Sequence, residues 1–428
     1  MQLLSLIGIL LAMAFIVYAV VKGYSLVWVS IVAALIVAVT GRMDLVESMG
    51  TTYMEGLAGF VVTLFPLFLG GQMLGKLLEY SGLSKSIARS VVKVLGAKNI
   101  VLAAFIAVYL MTAVGISVYI VIFTVYPMCL AFFKQTNISR SLIPAIVLGG
   151  AASAQMLPGI PIAANIIPAD YLGTTAMAAP ITAIVGAVIV TGLNLWYLIW
   201  QGNKSMASGK PFELLPGEEA DDDLSTDQLP NPWLALAPFA VIIVLLNVLG
   251  WPAWGALIAG AFVMLLMFWK KYPDKKKIFN DVAKGSMSVI GTAAIVGFGS
   301  VVSAAPGYSY ISSFLTSTSF GNPYIYAAIA VSVIAAVTGS ATGSMRLILD
   351  SSAARMLSMG ARPEALSRVV TMASFGCDSL PHSSAVVLTL QCCNVSHKEG
   401  YWHLFVTTVL TNTLALIVGV IMASLGIS

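Results

Sequence analysis

The chain has 428 residues, 59% of them hydrophobic and 9% charged, with a mean hydropathy of +0.93. Soluble domains carry about 25% charged residues to keep their surfaces wetted, so a water-soluble fold of this size would expose large apolar patches and is excluded. The formal net charge of +4, from 22 basic and 18 acidic residues, gives no electrostatic footprint for nucleic acid. The sequence reads as a polytopic membrane protein.

A membrane-spanning helix takes about 20 apolar residues. In the first part of the chain, 3–20, 26–40 and 56–74 meet that requirement. The first run has no basic segment ahead of it and no small-residue cleavage site before Lys22, so it reads as a retained span rather than a signal peptide. The stretches 100–133 and 141–168 are equally apolar, but clusters of Gly, Pro, Ser or Thr interrupt them; 178–200 is uninterrupted again. Gln201 to Asn231 differs from everything else. Glu213, Glu218, Glu219, Asp221, Asp222, Asp223 and Asp227 stand there against Lys204 and Lys210, which predicts a solvated linker. Beyond it, 233–250, 254–269, 286–303 and 402–425 read as spans, while 323–358 and 364–395 are interrupted. Cys129, Cys377, Cys392 and Cys393 lie in apolar surroundings without paired C-x-x-C spacing, so neither a disulfide framework nor a metal site is expected.

The two sides of the linker resemble each other. Ser153-Ala-Gln-Met-Leu-Pro-Gly159 aligns without gaps on Gly376-Cys-Asp-Ser-Leu-Pro-His382. Ser81-Gly-Leu-Ser84 falls on Pro306-Gly-Tyr-Ser309 and Thr112-Ala-Val-Gly-Ile-Ser117 on Thr338-Gly-Ser-Ala-Thr-Gly343, in the same order and at a nearly constant offset. This predicts an N-terminal membrane repeat over 1–200, a cytoplasmic acidic linker over 201–231 and a C-terminal membrane repeat over 232–428. The expected fold is all-α, with two inverted repeats of about five transmembrane helices each, each repeat holding a re-entrant hairpin and a broken helix. Lys76, Lys85, Arg89, Lys93 and Lys98 in one connection, and Lys270, Lys271, Lys275, Lys276, Lys277 and Lys284 in another, should face the cytoplasm. The N-terminus then falls outside and the linker and His397-Lys398 inside; Arg355 and Arg362 run against this assignment.

Irregular backbone at membrane depth persists only where protein or a cavity covers it, and broken helices in matching positions of two halves point to a binding site for transport. The first pair of breaks comprises the hairpin tips Thr112–Ser117 and Thr338–Ser344. Glycine permits the reversal there, and the hydroxyls of Thr112, Ser117, Ser340, Thr342 and Ser344 could hold a carboxylate; close helix packing uses the same small residues. The second pair is centred on proline. Leu157-Pro158-Gly159-Ile160-Pro161 runs on to Asn165 and Pro168, and the matching segment reads Asp378-Ser379-Leu380-Pro381-His382-Ser383-Ser384. An acid and a histidine in an otherwise uncharged span are costly, and Asp378 and His382 could carry a coupling proton or simply brace the break. Arg346 and Asp350 are spaced for an i,i+4 ion pair; the sharper reading has Arg346 grip a substrate carboxylate. His397 and His403 are expected at loop and interface positions.

At these residues the sequence resembles the gluconate:proton symporter (gluconate permease) family of the ion-transporter superfamily. The likeness rests on Gly71-Gln-Met-Leu-Gly75-Lys76-Leu-Leu-Glu79-Tyr-Ser81-Gly82, Leu157-Pro158-Gly159-Ile160-Pro161, Asn165-Ile-Ile-Pro168, Tyr171-Leu-Gly173-Thr174-Thr175, Ala178-Ala-Pro180 and Asp378-Ser-Leu-Pro381-His382-Ser-Ser-Ala385-Val386-Val387. The resemblance implies uptake of small hydroxy-carboxylates across the cell (inner) membrane, opposed hairpins, an elevator motion and a homodimer. Ile160 stands where the family has Thr and Ser383 where it has Asn, which favours a shorter or more apolar acid than gluconate.

The reading that follows is a secondary active transporter, not an enzyme and without a cofactor, that carries a small organic monocarboxylate together with a proton. Its expected substrate-binding residues are Thr112, Gly115, Ser117, Pro158, Gly159, Pro161, Asn165, Ser340, Thr342, Gly343, Ser344, Arg346, Ser383 and Ser384, with Asp378 and His382 coupling the proton. The backbone N–H groups around Gly159 and Gly343 would add to the anion site. Its partners would be the anion, the proton and the lipid bilayer. A sodium-coupled carrier of a carboxylate or a D-amino acid on the same fold is the alternative, and a channel or sensor is a third class.

Overall fold

The computed structural model describes residues 2–83, 86, 93–94, 96–113, 118–160, 162–209, 212–213, 229–247, 249, 251–272, 274–287, 289–317 and 321–428. Most of the acidic linker and the first hairpin tip, with Gly115 and Ser117, lie outside these residues, as does Pro161. The described residues are helical or irregular, with no strand among them. Among the described residues, five helices are long and apolar enough to cross a membrane, and the exterior is apolar: Trp28, Val62 and Leu266 are 69%, 77% and 74% exposed. Such residues face lipid rather than water, in keeping with a multi-pass membrane protein.

The first half contains α1 (Gln2–Val21), α2 (Leu26–Thr40), the long α3 (Leu45–Tyr80), the pair α4 (Ile100–Ala113) and α5 (Val118–Thr136), α6 (Ile143–Gln155), α7 (Ala163–Leu172) and α8 (Pro180–Ala207). The second half contains α9 (Leu236–Asn247), α10 (Ala253–Phe268), α11 (Lys275–Ser286), α12 (Val289–Ala304), α13 (Pro306–Ser317), the pair α14 (Pro323–Thr338) and α15 (Ala341–Ser358), α16 (Pro363–Ser374), α17 (Ser384–Cys392) and α18 (His397–Ser424). Each half opens on two apolar helices and closes on a helical pair, a broken helix and a long helix; between them stand α3 in the first half and α11, α12 and α13 in the second. Several helices run beyond the expected bounds. α3 extends well beyond 56–74 at both ends, through a π-helical turn at Ser48–Tyr53. α8 continues past residue 200 to Ala207, because Gly202 lets it pack closely on Val101 of α4.

Local chemistry sets the ends. Asn322 caps α14, its side chain accepting from the N–H groups of Tyr324 and Ile325, and Pro323 occupies the first helical turn, where no donor is needed. α14 stops at Gly339, whose φ of +63° is left-handed, and Ser340 immediately caps α15 by accepting from Gly343 N–H at 3.2 Å. α18 opens on a capping box between Ser396 and Glu399. α6 ends ahead of Pro158, which has no donor to continue the ladder, and α16 ends where Phe375 turns extended before Gly376 at φ +96°.

Three buried clusters organise the packing. One joins α3 and α10 with α4, α5, α6 and α17 through Phe68, Phe105, Ile146, Met264 and Leu388. A second joins α7, α14, α15 and α16 through Ile167, Tyr326, Ile348 and Met372. A third joins α1, α2 and α12 through Ile9, Val37 and Phe298. The broken helices cross between the first two in opposite senses. α6 packs in the first cluster and α7 in the second, whereas α16 packs in the second and α17 in the first. Both breaks therefore lie on one seam, and α8 and α18 run across it with Leu198 and Leu404 on one side and Val190 and Leu416 on the other. Asn194 ties the seam in the buried interior, donating to the Gly149 and Thr407 carbonyls and to Ser153 Oγ.

Candidate functional site

The second break and the second hairpin tip touch. A Cβ built on Gly339 would lie 3.2 Å from Ser383 Cα and 3.6 Å from His382 Nε2, so only glycine lets the tip approach this closely. Ser383 Oγ reaches the Gly339 carbonyl at 3.5 Å. Ser340 is the N-cap of α15 and Ser383 that of α17, so the contact brings two helix N-termini together. Each such end exposes backbone donors and carries about half a positive charge, an arrangement suited to an anion. His382 is 3% exposed, and its Nε2 has no hydrogen-bond partner. A buried donor or acceptor left alone costs about 1–3 kcal/mol, and here it is aimed at the junction of tip and break.

Around this junction the backbone is braced. Ser379 Oγ donates to Asp378 Oδ1 at 2.9 Å, Tyr401 donates to the Ser379 carbonyl at 3.2 Å, and His397 Nε2 bonds the Pro381 carbonyl at 3.0 Å. His397 is thus no loop residue, as its place in the sequence suggested, but a buried support for the break. On the far side of Phe375 and Cys377, an apolar groove of about 430 Å³ opens between α14 and α18, lined by Ile325, Ile329, Leu416 and Ile421.

The first break is held differently. Gly159, at φ +81°, donates its N–H to the Ala176 carbonyl, so this N–H, expected to face an anion, is already engaged. Asn165 is 2% exposed, and its amide donates to the Ile160 carbonyl while its Oδ1 accepts from Arg368 Nη1 at 3.1 Å. Arg368 comes from α16 in the other half. It is 2% exposed and also donates to the carbonyls of Ala176 and Ala178 at 3.0–3.2 Å. Thr371, one turn on, donates to the Ala164 carbonyl at 2.8 Å. Ala179, which follows the doubly bonded Ala178 carbonyl, holds a left-handed φ of +46°; for a non-glycine residue that costs about 1–2 kcal/mol. Among the described residues, the ion pair within 4.0 Å is Lys76–Glu79. Arg368 is therefore a buried cation neutralised by carbonyl dipoles and one amide.

The remaining sequence candidates fall into two groups. Ser340, Thr342, Gly343, Ser344, Ser383 and Ser384 gather with Asp378 and His382 around the second tip and break, although Ser344 is buried and spends its hydroxyl on the Ala341 carbonyl. Thr112 is fully buried with its hydroxyl unpartnered, and Pro158 lies in the first break. Arg346 and Asp350 are both exposed and do not form the anticipated ion pair. Arg368, Thr371 and His397 lie outside the expected set. Arg368 carries the same signal as Asp378, an ionisable residue inside an apolar stretch, but no motif marks it.

A polytopic helical bundle with a broken helix in each half, both on one buried seam, fits a membrane permease. Comparison with known proteins agrees: the model of the GntP family permeases matches residues 3–249. The chain belongs to that family and is accordingly a secondary transporter. It is also 29% identical to the uncharacterized transporter YxjC of Bacillus subtilis, covering 95% of this chain and 96% of the relative. An uncharacterized transporter of Haemophilus influenzae is 25% identical, with 93% of each chain covered.

Proposed function

We propose that this permease carries a small organic monocarboxylate, a short hydroxy acid or sugar acid, together with a proton. The observation that carries the reading is the meeting of the α15 and α17 N-termini beside buried His382, whose Nε2 is unpartnered. The anion sits against Ser340, Thr342, Gly343, Ser383 and Ser384, and Thr112, with Gly115 and Ser117 that lie outside the described residues, completes the proposed set. Asp378 and His382 take up and release the proton as the anion comes and goes. His382 is buried and Asp378 half-buried next to the binding point, where partial desolvation couples their charge to that of the ligand.

Arg368 supports this site without touching the substrate. It ties the first break (Pro158, Gly159) to α16 through Asn165 and two carbonyls, so both breaks move with one body. Its positive charge raises the potential along the seam and favours an anion there. Exposed Arg346 guides the anion at the rim. Transport then proceeds by an elevator-type displacement of the hairpins and broken helices against α1, α2 and α12, whose buried cluster is separate. The opposite crossing of α6–α7 and α16–α17 between clusters supports two inverted repeats, and the lysine-rich connections support a cytoplasmic face at Lys76 and Lys270–Lys284 in the cell membrane.

Proteoliposome uptake tests the reading. With gluconate, glycerate, lactate, 3-hydroxybutyrate and D-serine as labelled probes, an inward proton gradient drives accumulation of at least one carboxylate at fixed sodium. Accumulation that needs sodium and ignores pH overturns proton coupling; saturable binding without flux, or unsaturable conductance, overturns the transporter mechanism.

A further inference from the structure

The connection from α10 into α11 concentrates positive charge that the transport site does not use. Lys270, Lys271, Lys275, Lys276, Lys277 and Lys284 stand there against only Asp274 and Asp281. Both acids are already occupied: Asp274 caps α11 by accepting from Lys277 N–H, and Asp281 accepts from the Tyr80 hydroxyl at 2.8 Å. None of the six lysines forms an ion pair among the described residues.

The depth of this cluster is fixed by its neighbours. α10 is an apolar helix with Trp251 and Trp254 at one end, 50% and 45% exposed, and Trp269 at the other, 49% exposed. Half-exposed Trp residues at both ends of a span mark the two membrane–water interfaces. Lys275 lies over the Trp269 ring at 4.7 Å, Lys271 over Phe268 at 5.9 Å and Lys277 over Tyr80 at 5.8 Å, which holds the ammonium groups at that level. α11 buries Ile278, Val282 and Ser286 on one side, and Gly285 abuts Gln72 of α3. Its other side exposes Phe279 (41%) and Met287 (58%) beside Lys276 and Lys284. Apolar side chains interleaved with lysines, exposed at interface depth, match the acyl boundary and the headgroup of a phospholipid at once.

We propose that residues 269–272 and 274–287 bind the phosphate headgroups of anionic phospholipids. The site is separate from the anion site of the transport seam and does not depend on it. A basic juxtamembrane cluster gains strength from each lysine near a negative surface, and the aromatic partners pre-order three of the six here.

The test uses the purified full-length protein in an uncharged detergent, titrated with phosphatidylglycerol, phosphatidylcholine or inorganic phosphate and read by lipid retention in native mass spectrometry. The expected result is at least tenfold preference for phosphatidylglycerol over phosphatidylcholine. That preference should weaken several-fold as salt rises from 0.1 to 0.5 M and the Debye length shrinks from about 10 Å. The variant Lys270→Gln/Lys271→Gln/Lys276→Gln/Lys284→Gln loses the preference, and the matching Lys→Arg variant keeps it; should the Gln variant fail to fold, the salt dependence and the Arg variant decide. Equal retention of both lipids, an undiminished preference in a folded Gln variant, insensitivity to salt, or displacement of phosphatidylglycerol by equimolar inorganic phosphate overturns the proposal.

Discussion

The two helix breaks occupy matching places in their halves and solve the same problem in opposite ways. Opened backbone within a membrane must be satisfied by protein. The first break has no ionisable residue of its own and imports one: Arg368 crosses from α16 to hold Asn165, Ala176 and Ala178. The second break carries its own Asp378 and His382, is pinned from outside by His397 and Tyr401, and leaves His382 Nε2 unsatisfied. One break is closed by its interactions and the other is left with capacity to spare. The difference separates a structural joint from a place where a ligand completes the bonding.

Removing the imported cation breaks the comparison most severely. Arg368→Met removes the guanidinium donor from Asn165 Oδ1 and from the Ala178 carbonyl and leaves the Ala176 carbonyl with the Gly159 N–H alone; hydrogen bonds to a charged group contribute about 1.5–3 kcal/mol each. The purified variant should melt many degrees lower or fail to accumulate, with Arg368→Lys intermediate because an ammonium cannot reproduce the planar fork. A melting point within a degree or two of wild type for Arg368→Met would show that the first break is not held from the other half. Asp378→Asn should act the other way round, keeping the fold and cutting gradient-driven uptake at least tenfold in the same proteoliposomes. Full uptake in both Asp378→Asn and His382→Ala would remove the proton from the second break.

A glycine pair sharpens the contact between tip and break. Gly339 and Gly173 have nearly the same φ, +63° and +64°, but an added Cβ meets Ser383 at Gly339 and nothing within 4 Å at Gly173. Each alanine variant bears about 1–2 kcal/mol of left-handed strain, visible as similar losses in thermal stability. Only Gly339→Ala should also slow transport several-fold; equal transport rates in the two variants would mean that the close approach is incidental. The smallest effect belongs to Arg346→Gln, which should raise KM two- to threefold at low salt with an unchanged maximal rate. A collapse of the maximal rate would instead place this side chain on the substrate.

Much of this arrangement was legible in the sequence. Hydropathy located the spans, and the paired Pro-centred segments marked both breaks, because proline and glycine dictate backbone locally. Asp378 and His382 stood out because charge is so scarce in an apolar run. What the sequence withheld was pairing across the halves. Asn165 and Arg368 are far apart in the chain, and neither periodicity nor spacing reports that they meet. The same limit applies to Arg346, whose spacing from Asp350 suited an ion pair that the two exposed side chains do not form. His397 read as a loop residue because its neighbours Lys398 and Glu399 are exposed, although its own ring turns inward to Pro381.

The most direct measurement follows the proton itself. Wild-type protein and Asp378→Asn are reconstituted into liposomes with a trapped pH dye, and each carboxylate of the panel is added outside. The account predicts saturable acidification of the lumen by the transported acid in wild-type liposomes, and only the protein-free leak rate in Asp378→Asn. Acidification at the wild-type rate in Asp378→Asn, or carboxylate entry with no pH change in wild type, would contradict it.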